Sequence, residues 1–170
     1  MTECPKNSIN NEDWFERFEG AGIPRIYFDS WLNNYEVSNP QQQAAVDQVK
    51  SAAGTKKSVL LLGDFGCGKT HMATSLVKNA IMGGRSAYYY TLTKLFREYR
   101  VSLKSDDFTE KQFFRRVGKC DVLVIDECNI RSDSEPENRI LQEILDDRYG
   151  DEKQTIFCAN FNLEQFSQFI

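Results

Sequence analysis

Eight consecutive residues, Gly63-Asp64-Phe65-Gly66-Cys67-Gly68-Lys69-Thr70, carry the spacing G-x-x-x-x-G-K-T. Glycines at these places permit positive φ and a close approach of the backbone to a ligand. Successive main-chain N–H groups then converge on an anion, helped by the positive end of the helix that follows. An ammonium at Lys69 suits the β and γ oxygens of a nucleoside triphosphate, and a hydroxyl at Thr70 suits Mg²⁺. A second group lies downstream. Val122-Leu123-Val124-Ile125 is an apolar run that ends in two adjacent carboxylates, Asp126 and Glu127. Asp126 can bind Mg²⁺ directly or through water, and Glu127 can polarise the water that attacks a γ-phosphate.

The flanking elements decide whether such residues meet. Residues 58–62 (SVLLL) form a short apolar run that fits a strand buried on both faces. Beyond the glycine-rich turn, Met72, Ala73, Leu76, Val77, Ala80 and Ile81 repeat at helical spacing over Lys69–Met82, and Gly83–Gly84 close the helix. Residues 86–91, 121–126 and 154–159 read as three more strands. Helices are expected over residues 41–53, 93–103 and 110–119, the last opened by Thr109 and Gln112 at capping-box spacing. Ser134 and Glu137 make a second such pair before a helix whose apolar face is Ile140, Leu141, Ile144, Leu145 and Tyr149. Residues 1–22 read as loosely ordered or as a short helix around Trp14–Phe18; an irregular stretch over 23–40 and a final helix capped by Asn162 complete the pattern. Strand and helix alternate four times, which predicts an α/β fold with a parallel sheet and right-handed crossovers. In such a sheet the strand carboxyl ends border the ligand crevice. That places the phosphate loop and the Asp126–Glu127 pair at one end. Asn160, which closes the fourth strand, can orient water there; Asn162 is its rival, and a plain turn or helix cap explains either as well.

Composition narrows the class. With 41% hydrophobic and 27% charged residues the chain is an ordinary globular one. No apolar run has the length of a membrane span, and the opening residues lack the pattern of a secretory signal, so a cytoplasmic protein is expected. Cys4, Cys67, Cys120, Cys128 and Cys158 include no C-x-x-C pair, and His71 is the single histidine. Zinc is therefore not expected, and the thiols read as free. Cys67 reads as a small filler of the phosphate loop, one that exposes it to alkylation. His71 suits a packing role on the helix better than catalysis. Charge is uneven: residues 94–119 carry eight Lys/Arg against four Asp/Glu, and residues 121–152 three against eleven. The first stretch could face phosphates; two solvated faces of opposite sign explain the asymmetry equally well.

Taken in order, Gly63–Thr70 with His71, then Leu123-Val124-Ile125-Asp126-Glu127, then Ala159-Asn160-Phe161-Asn162, this chain resembles the DnaC-type helicase loaders of bacteria and phages. It is also similar to the related IstB transposase helpers, within the AAA+ class. Ala21-Gly22-Ile23-Pro24, Phe28-Asp29, Asn34-Tyr35-Glu36-Val37 and Ile144-Leu145-Asp146-Asp147-Arg148-Tyr149 extend the resemblance over about residues 20–170. It implies a P-loop domain of three α/β/α layers over 23–170, with 1–22 as a short extension. It implies ATP and Mg²⁺ held by Gly63, Asp64, Phe65, Gly66, Cys67, Gly68, Lys69, Thr70 and His71, with Thr70 and Asp126 on the metal and Lys69, Glu127 and Asn160 in catalysis. It further implies a replicative DNA helicase and single-stranded DNA as partners, and a homo-oligomer. Tyr27 and Tyr35 would lie against adenine. Arg97, Arg100 and Lys104 could meet DNA phosphates, and Phe96 or Tyr99 could stack on bases, although one turn apart they read first as core.

The pattern departs from the family at both ends. The family's helical N-terminal domain has no counterpart before Gly22, and no residue matches the family's fifth strand or its arginines. The expectation is thus an incomplete core of phage or prophage type. In it the 58–62 strand is an exposed edge, Phe166, Phe169 and Ile170 lack a full packing surface, stability is marginal and turnover weak. An ATP-dependent adaptor without turnover and a transposase helper remain the alternatives. A small-molecule kinase, which needs basic residues after the third strand, fits poorly with residues 128–139, where three Asp/Glu stand against two Lys/Arg.

Overall fold

Four strands pair in parallel in the order β1-β4-β3-β2, namely β1 (Val59–Leu62), β2 (Ala87–Thr91), β3 (Val122–Asp126) and β4 (Gln154–Ala159). The structure, a computed structural model, describes residues 11–128, 135–162 and 164. Three strands start one residue later than their apolar runs suggest. The residues just before them are tied by side chains instead: Ser58 Oγ accepts from Thr155 N, and Asp121 Oδ2 accepts from Ser86 N and Oγ. β3 and β4 are buried along their whole length, as continuous apolar runs in a covered parallel sheet must be.

Alternation along the strands builds two separate cores. On one face Leu61, Tyr89, Val124, Ile156 and Cys158 meet α1 (Asn11–Gly20), α2 (Pro40–Ala52) and α3 (Lys69–Met82) through Phe18, Val46, Val49, Met72, Leu76 and Val77. On the other face Tyr90, Leu123, Ile125 and Phe157 meet α4 (Leu92–Ser102), α5 (Glu110–Lys119) and α6 (Glu135–Gly150) through Leu95, Phe96, Phe113, Val117, Leu141 and Ile144. The result is the expected three-layer α/β/α arrangement. β1 is at one edge of the described strands and is half-buried.

Local signals hold where they are purely local. Thr109 and Gln112 form the full capping box of α5, and Arg85 N returns to Ala80 O across Gly83–Gly84 at the end of α3. Asn39 caps α2 by accepting from Gln42 N, with Pro40 as first helical residue, one position earlier than the expected start. The stretch over 23–39 is irregular except for a 3-10 helix at Arg25–Tyr27. Ser134, its capping pair with Glu137, and most of the final helix expected after Asn162 lie outside the described residues.

One expectation fails on α6. Tyr149 is 89% exposed, and Arg148 takes the inward position. The buried row is Leu141, Ile144 and Arg148. The guanidinium is fully committed: it donates to Val117 O, Cys120 O, Thr155 Oγ1 and Gln154 O. It thereby satisfies carbonyls at the carboxyl end of α5 and the start of β4, which a tyrosine cannot do.

Candidate nucleotide site

β1 ends at Leu62, and the chain then turns through Gly63 (φ +146), Gly66 (φ +80) and Gly68 (φ +86) before α3 begins at Lys69. Positive φ at the helix entrance is a conformation that costs other L-residues about 1–2 kcal/mol. It is the conformation in which successive loop N–H groups can converge on an anion. Lys69 is nine-tenths buried, and its ammonium donates to Gly63 O and Asp64 O, both at 2.8 Å. A lysine so held can exchange loop carbonyls for phosphate oxygens with little movement. Cys67 Sγ lies 3.6 Å from the same nitrogen. Phe65, at the loop tip, is 93% exposed.

The register of the sheet brings the carboxylates to this loop. Ala159 pairs with Leu62, and Asp126 with Thr91, so all four strand ends lie at one rim. Thr70 Oγ1 donates to Asp126 Oδ2 at 2.7 Å, across 56 residues of chain. Asp126 is buried (4% exposed) and takes two further hydrogen bonds, from Tyr89 OH to Oδ2 at 2.8 Å and from Glu127 N to Oδ1 at 2.7 Å. Glu127 adopts φ +57, and the next residue rejoins the sheet through Cys128 N to Cys158 O. One residue is thereby lifted out of the ladder, and the exposed Glu127 is set at the rim. Asn160 follows β4 directly and is also exposed there; Asn162 is exposed two residues on.

The donor set suits a hard cation. A hydroxyl and a carboxylate side by side, both oxygen ligands, fit Mg²⁺, which keeps several waters and takes its remaining ligands from phosphate. Among the described residues no cluster of three or more His, Cys, Asp or Glu forms a metal cage. Two buried thiols nearby stay protonated: burial, and then the Asp126 carboxylate, pushes Cys128 up to about 12, and the same two causes raise Cys158.

A segment before the loop is fastened to α3 by one helical row. His71 Nε2 lies 2.8 Å from Trp31 O, Ser75 Oγ donates to Ser30 O at 2.9 Å, and the fully buried Lys78 donates to Tyr27 O, Phe28 O and Ser30 O. Lys78 also lies 4.2 Å over the Trp31 ring. These positions are i, i+4 and i+7, one face of a helix. Tyr35 ends the segment on the phosphate loop itself, its hydroxyl donating to Cys67 O at 2.6 Å. Tyr27 is half-buried against the same core. Sequence reasoning passed over Lys78 and Tyr89. The polar row His71, Ser75 and Lys78, at i, i+4 and i+7 of a helix with a separate apolar face, was a usable signal for the first; Tyr89, inside a Tyr-Tyr-Tyr strand, carried none.

The candidate DNA residues divide. Phe96 is 4% exposed and belongs to the core, which removes it as a base-stacking surface. Tyr99 is wedged edge-on against Phe114 and donates to Glu110. Arg100 pairs with Glu137, whereas Arg97 and Lys104 are exposed on α4 and just beyond it. Among the described residues no helix is long and apolar enough to cross a membrane.

A doubly covered parallel sheet, a glycine-rich loop opening a helix and an acidic strand end beside it define a P-loop α/β domain of the AAA+ class. The chain belongs to the family of IstB-like ATP binding proteins, which it matches over residues 28–170. It is 24% identical over 157 residues to the replicative helicase loader DnaC of Escherichia coli K12, covering 90% of this chain and 64% of that protein. The fold is that of a DnaC helicase loader crystal structure (TM-score 0.75, 22% identity, 86% of this chain and 88% of that one). It also matches the replication initiator DnaA bound to AMPPCP and single-stranded DNA (TM-score 0.72, 21% identity, 86% and 48%).

Proposed function

We propose that this domain binds ATP with Mg²⁺ and hydrolyses it, and that the cycle governs contact with a replicative helicase and single-stranded DNA. The observation that carries the nucleotide reading is the 2.7 Å contact of Thr70 with Asp126 at the mouth of the glycine loop, with Lys69 and Glu127 at the same rim. Lys69 would bind the β and γ oxygens in place of Gly63 O and Asp64 O, and the loop amides would hold the β-phosphate. Thr70 and Asp126 would hold Mg²⁺, which when bound neutralises charge on the phosphates. Glu127, exposed at the rim, would take the proton of the attacking water, and Asn160 would help orient that water.

The helicase and DNA parts rest on likeness to loaders, of whose length this chain spans 64%. Arg97 and Lys104, exposed on α4 and just beyond it, would meet the phosphates of the DNA strand. The family match supports a second reading, a helper ATPase for a transposase.

Titration with a fluorescent ATP analogue and Mg²⁺, beside Lys69→Ala, tests binding; saturation by the wild type and none by the variant is expected. Phosphate release lost in Glu127→Gln, with binding kept, separates an ATPase from an adaptor. Pull-down with helicase or transposase as bait separates the two partners. A folded wild type that binds no nucleotide would end the reading.

A further inference from the structure

Asp126 is held by a residue that the phosphate loop does not supply. Tyr89 stands opposite Val124 in the β2–β3 register, so Asp126 is its diagonal neighbour on the same face of the sheet. With strands about 4.8 Å apart and a two-residue rise of about 6.6 Å, such neighbours lie about 8 Å apart, a gap an aromatic side chain can span. The Tyr89 ring spans that gap inside the core, 5% exposed, and its hydroxyl reaches Oδ2 at 2.8 Å, the oxygen that also accepts from Thr70. Phenylalanine would fill the space and leave that oxygen with one donor fewer.

The backbone of Tyr89 is fastened as well. β2 is at an edge of the described sheet, so one side of its main chain faces β3 and the other is open to a further partner. Tyr89 N donates to Ala21 O at 2.8 Å, and a Cβ on Gly22 would lie 2.5 Å from Tyr89 O. The turn that ends α1 therefore closes on the strand at the residue whose ring reaches the acid. Phe18, one turn back on α1, is in the same core.

We propose that Tyr89 is a positioning residue for the Mg²⁺-binding carboxylate, fixed in place by the Ala21–Gly22 turn; this rests on the Mg²⁺–ATP reading above. Its hydroxyl sets the orientation in which Asp126 meets Thr70 and the metal, so the metal-dependent part of nucleotide binding depends on it. Partners of this kind typically change metal affinity by about tenfold or more.

The test is binding of a fluorescent ATP analogue across a Mg²⁺ titration and in EDTA, for wild type, Tyr89→Phe and Thr91→Val. Thr91 is on the same strand, but its hydroxyl accepts from Lys94 N and caps α4. It thus reports the cost of a purely structural hydroxyl. Tyr89→Phe should need roughly tenfold more Mg²⁺ for half-saturation, with its weaker binding in EDTA unchanged. Thr91→Val should melt lower and keep the wild-type Mg²⁺ midpoint. If Tyr89→Phe melts too low to assay under these conditions, the same titrations are run at a temperature below its melt, with the wild type beside it. An unmoved or tighter Mg²⁺ midpoint, or equal losses with and without Mg²⁺, overturns the proposal. A wild type that binds nucleotide while the midpoint stays put sinks this inference alone; a wild type that binds none sinks the reading beneath it too.

Discussion

The hydroxyl of Tyr35 donates to the main-chain carbonyl of Cys67 at 2.6 Å, and its ring occupies the space where a side chain on Gly68 would stand. The phosphate loop is thus held from outside as well as by its own glycines. Tyr35 is in turn placed by a segment whose carbonyls are bound by Ser75 and Lys78 and which lies against His71, all on the helix that the loop opens. Loop, helix and preceding segment form one closed unit.

Gly68→Ala should abolish nucleotide binding. A Cβ there would lie 2.3 Å from Tyr35 Cε2, at φ +86. Tyr35→Phe is the milder probe. It removes one hydrogen bond worth about 1 kcal/mol, and affinity for the ATP analogue should fall about fivefold. Fluorescence titration of both variants beside the wild type checks the order.

Cys67 is half-exposed in the loop, whereas Cys120, Cys128 and Cys158 are buried. Iodoacetamide should therefore label Cys67 ahead of those three and block nucleotide binding, and saturating Mg²⁺–ATP should slow the labelling. Cys67→Ala should bind nucleotide and lose the sensitivity. Peptide mass mapping locates the label and separates it from any on Cys4. Binding that survives complete Cys67 labelling would contradict the placement.

Glu127 holds φ +57, which costs a residue with a side chain about 1 kcal/mol and a glycine almost nothing. Glu127→Gly should therefore melt no lower than the wild type while phosphate release drops about a hundredfold or more. Calorimetry and a turnover assay on one preparation measure both. A large loss of stability would mean that the carboxylate has a structural task.

Asp121 accepts from Lys153 Nζ at 2.8 Å and from Ser86 N and Oγ, and these donors hold its carboxyl at about 2, below the ordinary 3.8. The folded state thus binds a proton less readily than the unfolded one. The stabilisation is present above the unfolded value and is lost as pH falls through the folded one. Asp121→Asn should melt below the wild type at neutral pH, and the gap should close as pH falls from about 4 to about 2. A gap that stays constant with pH would assign the effect to packing.

Much of this protein was legible from residues near one another in sequence. The G-x-x-x-x-G-K-T spacing, the apolar runs over β1, β3 and β4, the Thr109–Gln112 box and the double glycine after α3 all act within a few residues. Their structural consequences follow from backbone geometry and side-chain period alone. Asp126 and Glu127 were legible for the same reason, as charge ending a buried run. Only the tertiary structure decided which ambivalent side chains turn inward and what they meet there. Phe96 is core, Arg148 displaces Tyr149 from the buried row of α6, Lys78 binds three carbonyls, Tyr35 closes on Gly68, and Tyr89 reaches Asp126. Each of these side chains is part apolar and part polar. Its direction depends on whether a buried partner waits at the far end, and those partners come from strands and loops that the chain brings together only on folding.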